Sequence, residues 1–103
     1  MARRTVILSP SIEDKLKRIG QRIKNARLRR NISAETISNI AGISESTFYA
    51  IEHGASTVSL GAYAAVLAIL GLDNDIDVIA VDEDGKALFW EDNIVERKRA
   101  KRR

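Results

Sequence analysis

Residues 32–54 read ISAETISNIAGISESTFYAIEHG. Two short runs with apolar residues three or four apart flank Ala41-Gly42-Ile43, and a serine precedes each run. A serine hydroxyl accepts a hydrogen bond from a free backbone N–H at a helix start, so Ser33 and Ser44 predict N-caps. Gly42 supplies the left-handed backbone that a tight turn between two helices needs. Helices joined so closely need a small side chain where they cross. Ser38 takes that place, and Ile37, Ile43, Phe48 and Ile51 form an apolar wedge between the two helices. Of the helix after the turn, Ser44, Glu45, Ser46, Tyr49 and Ala50 are left facing outward.

The flanking segments extend this pattern. Pro10 ends an N-terminal arm, residues 1–10, in which Thr5-Val6-Ile7-Leu8 is either a short strand pairing with another chain or an arm lying on the body. Ser11 is the expected cap of a first helix running to about Arg30, with Glu13 and Asp14 favourably placed in its first turn. Ile12, Leu16, Ile19, Ile23 and Ala26 fall on one stripe and are expected to face the core. Gly20 weakens the middle of that helix, and Asn31 can adopt the left-handed conformation that stops it. In the second helix Ile37, Ile40 and Ala41 are the expected inward residues. Gly54 ends the third. Ser59 caps a fourth helix, residues 60–70, which Gly71 closes. That helix is apolar almost all round, which implies a core face plus an assembly face.

Beyond Gly71 the pattern divides. Asp75-Ile76-Asp77-Val78-Ile79-Ala80 fits an edge strand and one face of a helix equally. Residues 85–92, with Leu88, Phe89 and Trp90, fit a helical turn or a strand, and Phe89 and Trp90 either fold back onto the fourth helix or anchor a partner. The organisation expected is an arm (1–10), a domain (11–72), an acidic extension (73–96) and a basic tail (97–103) too charged to fold by itself.

The net charge of +3 conceals a strong separation. Residues 1–30 carry +8, residues 31–96 carry −11 and residues 97–103 carry +6. Such sorting suits one anion-facing side and one acidic side, or else solvated faces. The chain has no cysteine, which removes disulfides and thiolate metal sites. The apolar stretch of the arm is too short for a signal peptide, so a soluble, cytoplasmic protein without a membrane partner is expected. No cofactor or enzymatic activity is expected either. His53 is the only histidine. Asp73, Asp75 and Asp77 open like a calcium loop, but Val78 stands where that loop needs glycine, and the closing glutamate is missing.

Residues 19–72 resemble the Cro/C1-type helix-turn-helix family of transcriptional regulators, also called the XRE type. The resemblance rests on Gly20-Gln21-Arg22-Ile23-Lys24, Ala41-Gly42-Ile43-Ser44, Ile51-Glu52-His53-Gly54, Ser59-Leu60 and Leu70-Gly71-Leu72. Ser9-Pro10, residues 26–30, Ser33-Ala34-Glu35, residues 58–63 and the acidic residues 82–85 are similar to the HipB-type antitoxin branch, whose members are often made beside a HipA-like kinase.

The resemblance implies an all-α, lambda-repressor-like DNA-binding domain of four to five helices. It implies a homodimeric repressor on an inverted-repeat operator in double-stranded DNA, with a HipA-like kinase as a further partner. A protein-interaction module that keeps the fold without specific DNA binding is the alternative. Carried over residue by residue, Glu45, Ser46 and Ala50 fall where the family reads base edges, and Ser44 and Ser59 where it meets phosphate. Thr47 belongs to the same face, and Tyr49 stands beside it for phosphate or sugar. Arg27 and Glu52 match a family pair that orients the reading helix, and Arg27 also counts with Arg30 and Ser33 among the candidate DNA contacts. The family usually begins its second helix with a backbone-clamping glutamine. Here it is Ala34, so the clamp must come from Ser33 or from basic residues such as Arg29, Arg30, Arg3, Arg4 and the tail.

Overall fold

Among the described residues, four serines start four α-helices. Ser9 precedes α1 (Pro10–Arg29), Ser33 α2 (Ala34–Ala41), Ser44 α3 (Glu45–Glu52) and Ser59 α4 (Leu60–Leu70). Each serine is extended, and its Oγ accepts from the backbone N–H three residues on, at 3.3, 3.0, 3.1 and 3.1 Å respectively. Each hydroxyl therefore satisfies one of the orphan donors of its helix start. The structure, a computed structural model, describes residues 6–83 and residue 85. Arg3, Arg4, Leu88, Phe89, Trp90 and the basic tail lie outside the described residues.

Three of these caps agree with expectation, and the first does not. Ser9 rather than Ser11 caps α1, and Pro10 opens the helix instead of closing the arm. The reason is proline's fixed φ and missing N–H, which cost nothing at the first helical position. Among the described residues the arm forms no strand. Gly42 and Gly71 close α2 and α4 in left-handed geometry, and Asn31 follows α1 at φ 55°. Asp73–Val78 forms a 3₁₀ helix, so the helical alternative holds for residues 75–78, while Ile79 and Ala80 lie beyond its end.

The core is small and aliphatic apart from one ring. Ile23 and Ala26 of α1, Ala34 and Ile37 of α2, Phe48 and Ile51 of α3, and Val66 and Leu70 of α4 are buried. α1 and α2 each pack on α3 and α4, and the 3₁₀ helix packs on α4. Ser38 is buried at the α2 crossing, where its hydroxyl donates to the Ala34 carbonyl at 2.7 Å. A small side chain that satisfies itself locally lets the helices approach without stranding a polar group.

Three residues expected inside are not. Ile12, Ile19 and Ile40 are 41%, 38% and 64% exposed. The α1 stripe is continuous, but the other helices cover only its second half, so Ile23 and Ala26 reach the core and Ile12 and Ile19 do not. Ile40 sits at the end of an eight-residue helix whose neighbours bury Ile37 and Ser38 instead.

Gly20 is more than a weak point in α1. It is buried, and a Cβ there would stand 2.5 Å from the Glu52 carbonyl oxygen and 2.7 Å from the Gly54 backbone N. Gly54 answers it at φ 75°, where a Cβ would overlap the Leu16 carbonyl. Two glycines thus let the end of α3 lie directly on the α1 backbone.

Candidate DNA-recognition surface

The orientation of α3 is fixed at its C-terminal end. Arg27 stands seven residues after Gly20, on the same face of α1. Its Nε donates to Glu52 Oε2 at 2.8 Å, and Nη2 donates to Oε1 at 3.4 Å. Nη1 donates to the Ile32 carbonyl at 3.1 Å, and the guanidinium lies 5.6 Å from the Phe48 ring centroid. One side chain therefore joins α1, the α1–α2 loop and α3. The planar guanidinium suits this work, since its donors form a fork that matches a carboxylate while its face stacks on a ring. The pair is almost closed from water. The structure puts Arg27 inside the domain, with its guanidinium engaged by the protein itself.

With Phe48, Ile51 and Glu52 buried, the other side of α3 faces outward. Ser44, Glu45, Ser46 and Tyr49 are exposed, and Thr47 and Ala50 are half-buried. The hydroxyls at the helix start form a local network. Ser44 Oγ donates to Thr47 Oγ1 at 3.0 Å and lies 3.1 Å from Ser46 Oγ. With its own proton given to Thr47, Ser44 accepts from Ser46, which leaves the Thr47 proton and the lone pairs of Ser46 and Thr47 toward solvent. Glu45 and Ser46 are thus presented at the N-terminal end of α3, the end a recognition helix points at base edges. The Tyr49 ring is tilted against Phe48 with centroids 6.1 Å apart, which holds it at the margin of this face.

An open depression of about 540 Å³ adjoins the face. Ser46, Thr47 and Ala50 line one side, and Thr57, Val58, Ser59 and Ala62 line the other. The start of α4 therefore stands beside the outward residues of α3. Tyr63 holds it there, its hydroxyl donating to the Ala55 carbonyl at 2.7 Å. Burial raises the Tyr63 phenol above its ordinary value. Thr57, an exposed hydroxyl on the α4 side of the depression, was not among the residues singled out from the sequence. Its signal was slight, a hydroxyl two positions before the Ser59 cap.

The remaining candidates lie apart from α3. Ser33 caps α2, and its hydroxyl donates to Thr36 Oγ1 at 2.8 Å, repeating the Ser44–Thr47 arrangement. Arg30 is exposed and donates from Nη1 to the Ala26 carbonyl at 2.9 Å, which satisfies an orphan acceptor at the end of α1. Ala34 is 7% exposed and belongs to the core, so its methyl packs and offers no hydrogen bond to a phosphate.

Two short serine-capped helices joined by a left-handed glycine, the second showing a polar outer face, define a helix-turn-helix in an all-α, lambda-repressor-like fold. The chain belongs to the corresponding family. The sequence profile of a family described as a helix-turn-helix domain, of the XRE-like class, matches residues 18–77, more than half of the chain. This is the class of domain through which transcription regulators bind DNA. No curated protein matches the chain. No helix among the described residues is long and apolar enough to cross a membrane.

Proposed function

We propose that this protein is a sequence-specific transcriptional repressor, without enzymatic activity, that binds an inverted repeat as a homodimer and represses its own operon. The observation that carries the reading is the two-sidedness of α3. Phe48 and Ile51 are fully buried and Glu52 is held by Arg27, while Ser44, Glu45 and Ser46 stand exposed at the leading end. A helix clamped on one face and polar on the other is fit to enter the major groove as a rigid body. Glu45 would accept from a cytosine N4, Ser46 would bond a base edge, and the Ala50 methyl would meet a thymine methyl. Ser44 and Ser59, each at a helix start with free backbone N–H groups, would hold phosphates. The basic N-terminal third supplies sequence-independent attraction.

The test is nuclease footprinting on the DNA upstream of the protein's own gene. The expected footprint is a pair of related half-sites whose centres are about 10 bp apart, or a multiple of that, on one face of the duplex. Uniform protection without preferred sites would favour the interaction module over the repressor.

The similarity of the flanking residues to HipB-type antitoxins adds a finer proposal, that a HipA-like kinase is a second partner. The exposed acids of residues 73–83 are a surface such a partner could use. Co-purification of the chain with the product of the neighbouring gene tests this. A kinase-like partner supports it, and a neighbour unrelated to kinases removes it.

A further inference from the structure

Behind the loop that joins α3 to α4, an apolar groove of about 400 Å³ runs between the arm, the first half of α1 and α4. Val6, Ile12, Ile19, Leu60, Tyr63 and Ile79 are among the residues that line it. Val6 is 68% exposed, Leu60 70% and Ile79 57%. We infer that this groove is the self-association surface of the protein and that a second copy of this chain occupies it. The inference rests on the dimeric reading above and specifies the surface that reading needs.

Three observations select a second copy. The first is α4 itself. Its sequence, LGAYAAVLAIL, carries no charge and only one hydrogen-bonding side chain, yet the core takes just Val66 and Leu70 as fully buried residues. Leu60, Ile12 and Ile19 still leave 70%, 41% and 38% of their surface open to water. A patch of this kind with a polar rim has the make-up of a dimer interface, which covers ~800 Å² on each partner.

The second is charge. Along α1, between the groove-lining Ile12 and Ile19, the exposed charges are Asp14, Lys15, Lys17 and Arg18 beside Glu13, a net basic set, and the 3₁₀ helix that precedes groove-lining Ile79 carries exposed Asp73, Asp75 and Asp77. A two-fold axis brings the same patch of both copies together, so the basic rim of one meets the acidic rim of the other. The third is position. Of the residues around the depression beside α3, only Val58 also lines the groove. A second copy seated there leaves Glu45, Ser46 and Ala50 free in both chains.

The experiment is sedimentation equilibrium of the full chain as wild type, Leu60→Asp and Ile79→Asp. Helical circular dichroism and the emission of Trp90, the only tryptophan, are followed at the same concentrations. Leu60 is the first residue of α4, where an aspartate suits the helix dipole, so Leu60→Asp opposes association without opposing the fold. The wild type is expected at the mass of two chains. Each variant is expected to weaken the dimer by at least about 100-fold, because the two-fold axis puts the unfavourable carboxylate into the interface twice, with helicity unchanged.

A wild type at the mass of one chain at about 100 μM overturns the inference. So do variants that both keep the two-chain mass. A one-chain mass with blue-shifted Trp90 emission that Leu60→Asp moves to the red also overturns it, because the chain's own C-terminal segment then fills the groove. DNA binding is scored separately. A dimer lost through Leu60→Asp but indifferent to operator DNA supports the inference and sinks the repressor. Half-site binding by variants that remain dimeric does the reverse.

Discussion

Arg27 and Glu52, 25 positions apart in the chain, meet at 2.8 Å in a site where their side chains are 11% and 4% exposed. The pair closes α3 onto α1 and so sets the angle at which the outer face of α3 stands. Removing one partner leaves a desolvated charge. Glu52→Ala or Arg27→Ala is expected to cost about 3–5 kcal/mol, read as a lower urea midpoint. The apolar double replacement Arg27→Met with Glu52→Leu is expected to cost far less than the two single changes together. Its DNA affinity should still fall, because α3 keeps its packing and loses its angular clamp. Full affinity in the stable double variant would remove the orienting role from the pair.

Gly20→Ala is a sharper test of the α1–α3 crossing. At an exposed helix interior this change stabilises by about 1 kcal/mol. Here the new methyl meets backbone atoms of Ile51, Glu52 and Gly54, which cannot turn aside as a side chain can. A loss of about 1–3 kcal/mol is expected instead, measured by thermal or urea unfolding. The sign alone decides the matter.

Tyr63 gives the fold a dependence on alkaline pH. Burial raises its phenol above the ordinary value of 10.0, so the folded state holds the proton more tightly than the unfolded chain. The contribution is therefore complete below about pH 10 and is lost as pH rises through the folded value. Tyr63→Phe deletes the hydrogen bond to Ala55 and is expected to cost about 1 kcal/mol at neutral pH. The gap between wild type and Tyr63→Phe should narrow above about pH 10. A gap that stays constant to about pH 11 would contradict the assignment.

What the sequence made legible was local. Ser33, Ser44 and Ser59 announce helices because a cap is made within four residues, and Gly42 and Gly71 announce turns by the same logic. The bounds of α4 and the inward places of Phe48 and Ile51 followed from these. Relations between distant segments were not legible. Periodicity shows that Ile12, Ile19 and Ala26 share a face, but not how far along α1 the other helices reach. Gly20 looked like a weak helix residue because the backbone that explains it belongs to residues 51–54. Thr57 comes beside the outer face of α3 only through the way α3 and α4 meet. Arg27 and Glu52 were paired through resemblance to a family, since no spacing rule links positions 25 apart.

The central claim is that the exposed end of α3 reads bases. Fluorescence anisotropy with the upstream duplex and an unrelated duplex, at about 150 mM salt, tests it for wild type and Glu45→Ala. The account predicts that wild type prefers the upstream duplex by at least about 10³-fold. It predicts that Glu45→Ala lowers that preference by roughly 5- to 100-fold, while binding to the unrelated duplex is not weakened. Equal affinity of wild type for both duplexes, or a preference that Glu45→Ala leaves unchanged, would contradict it.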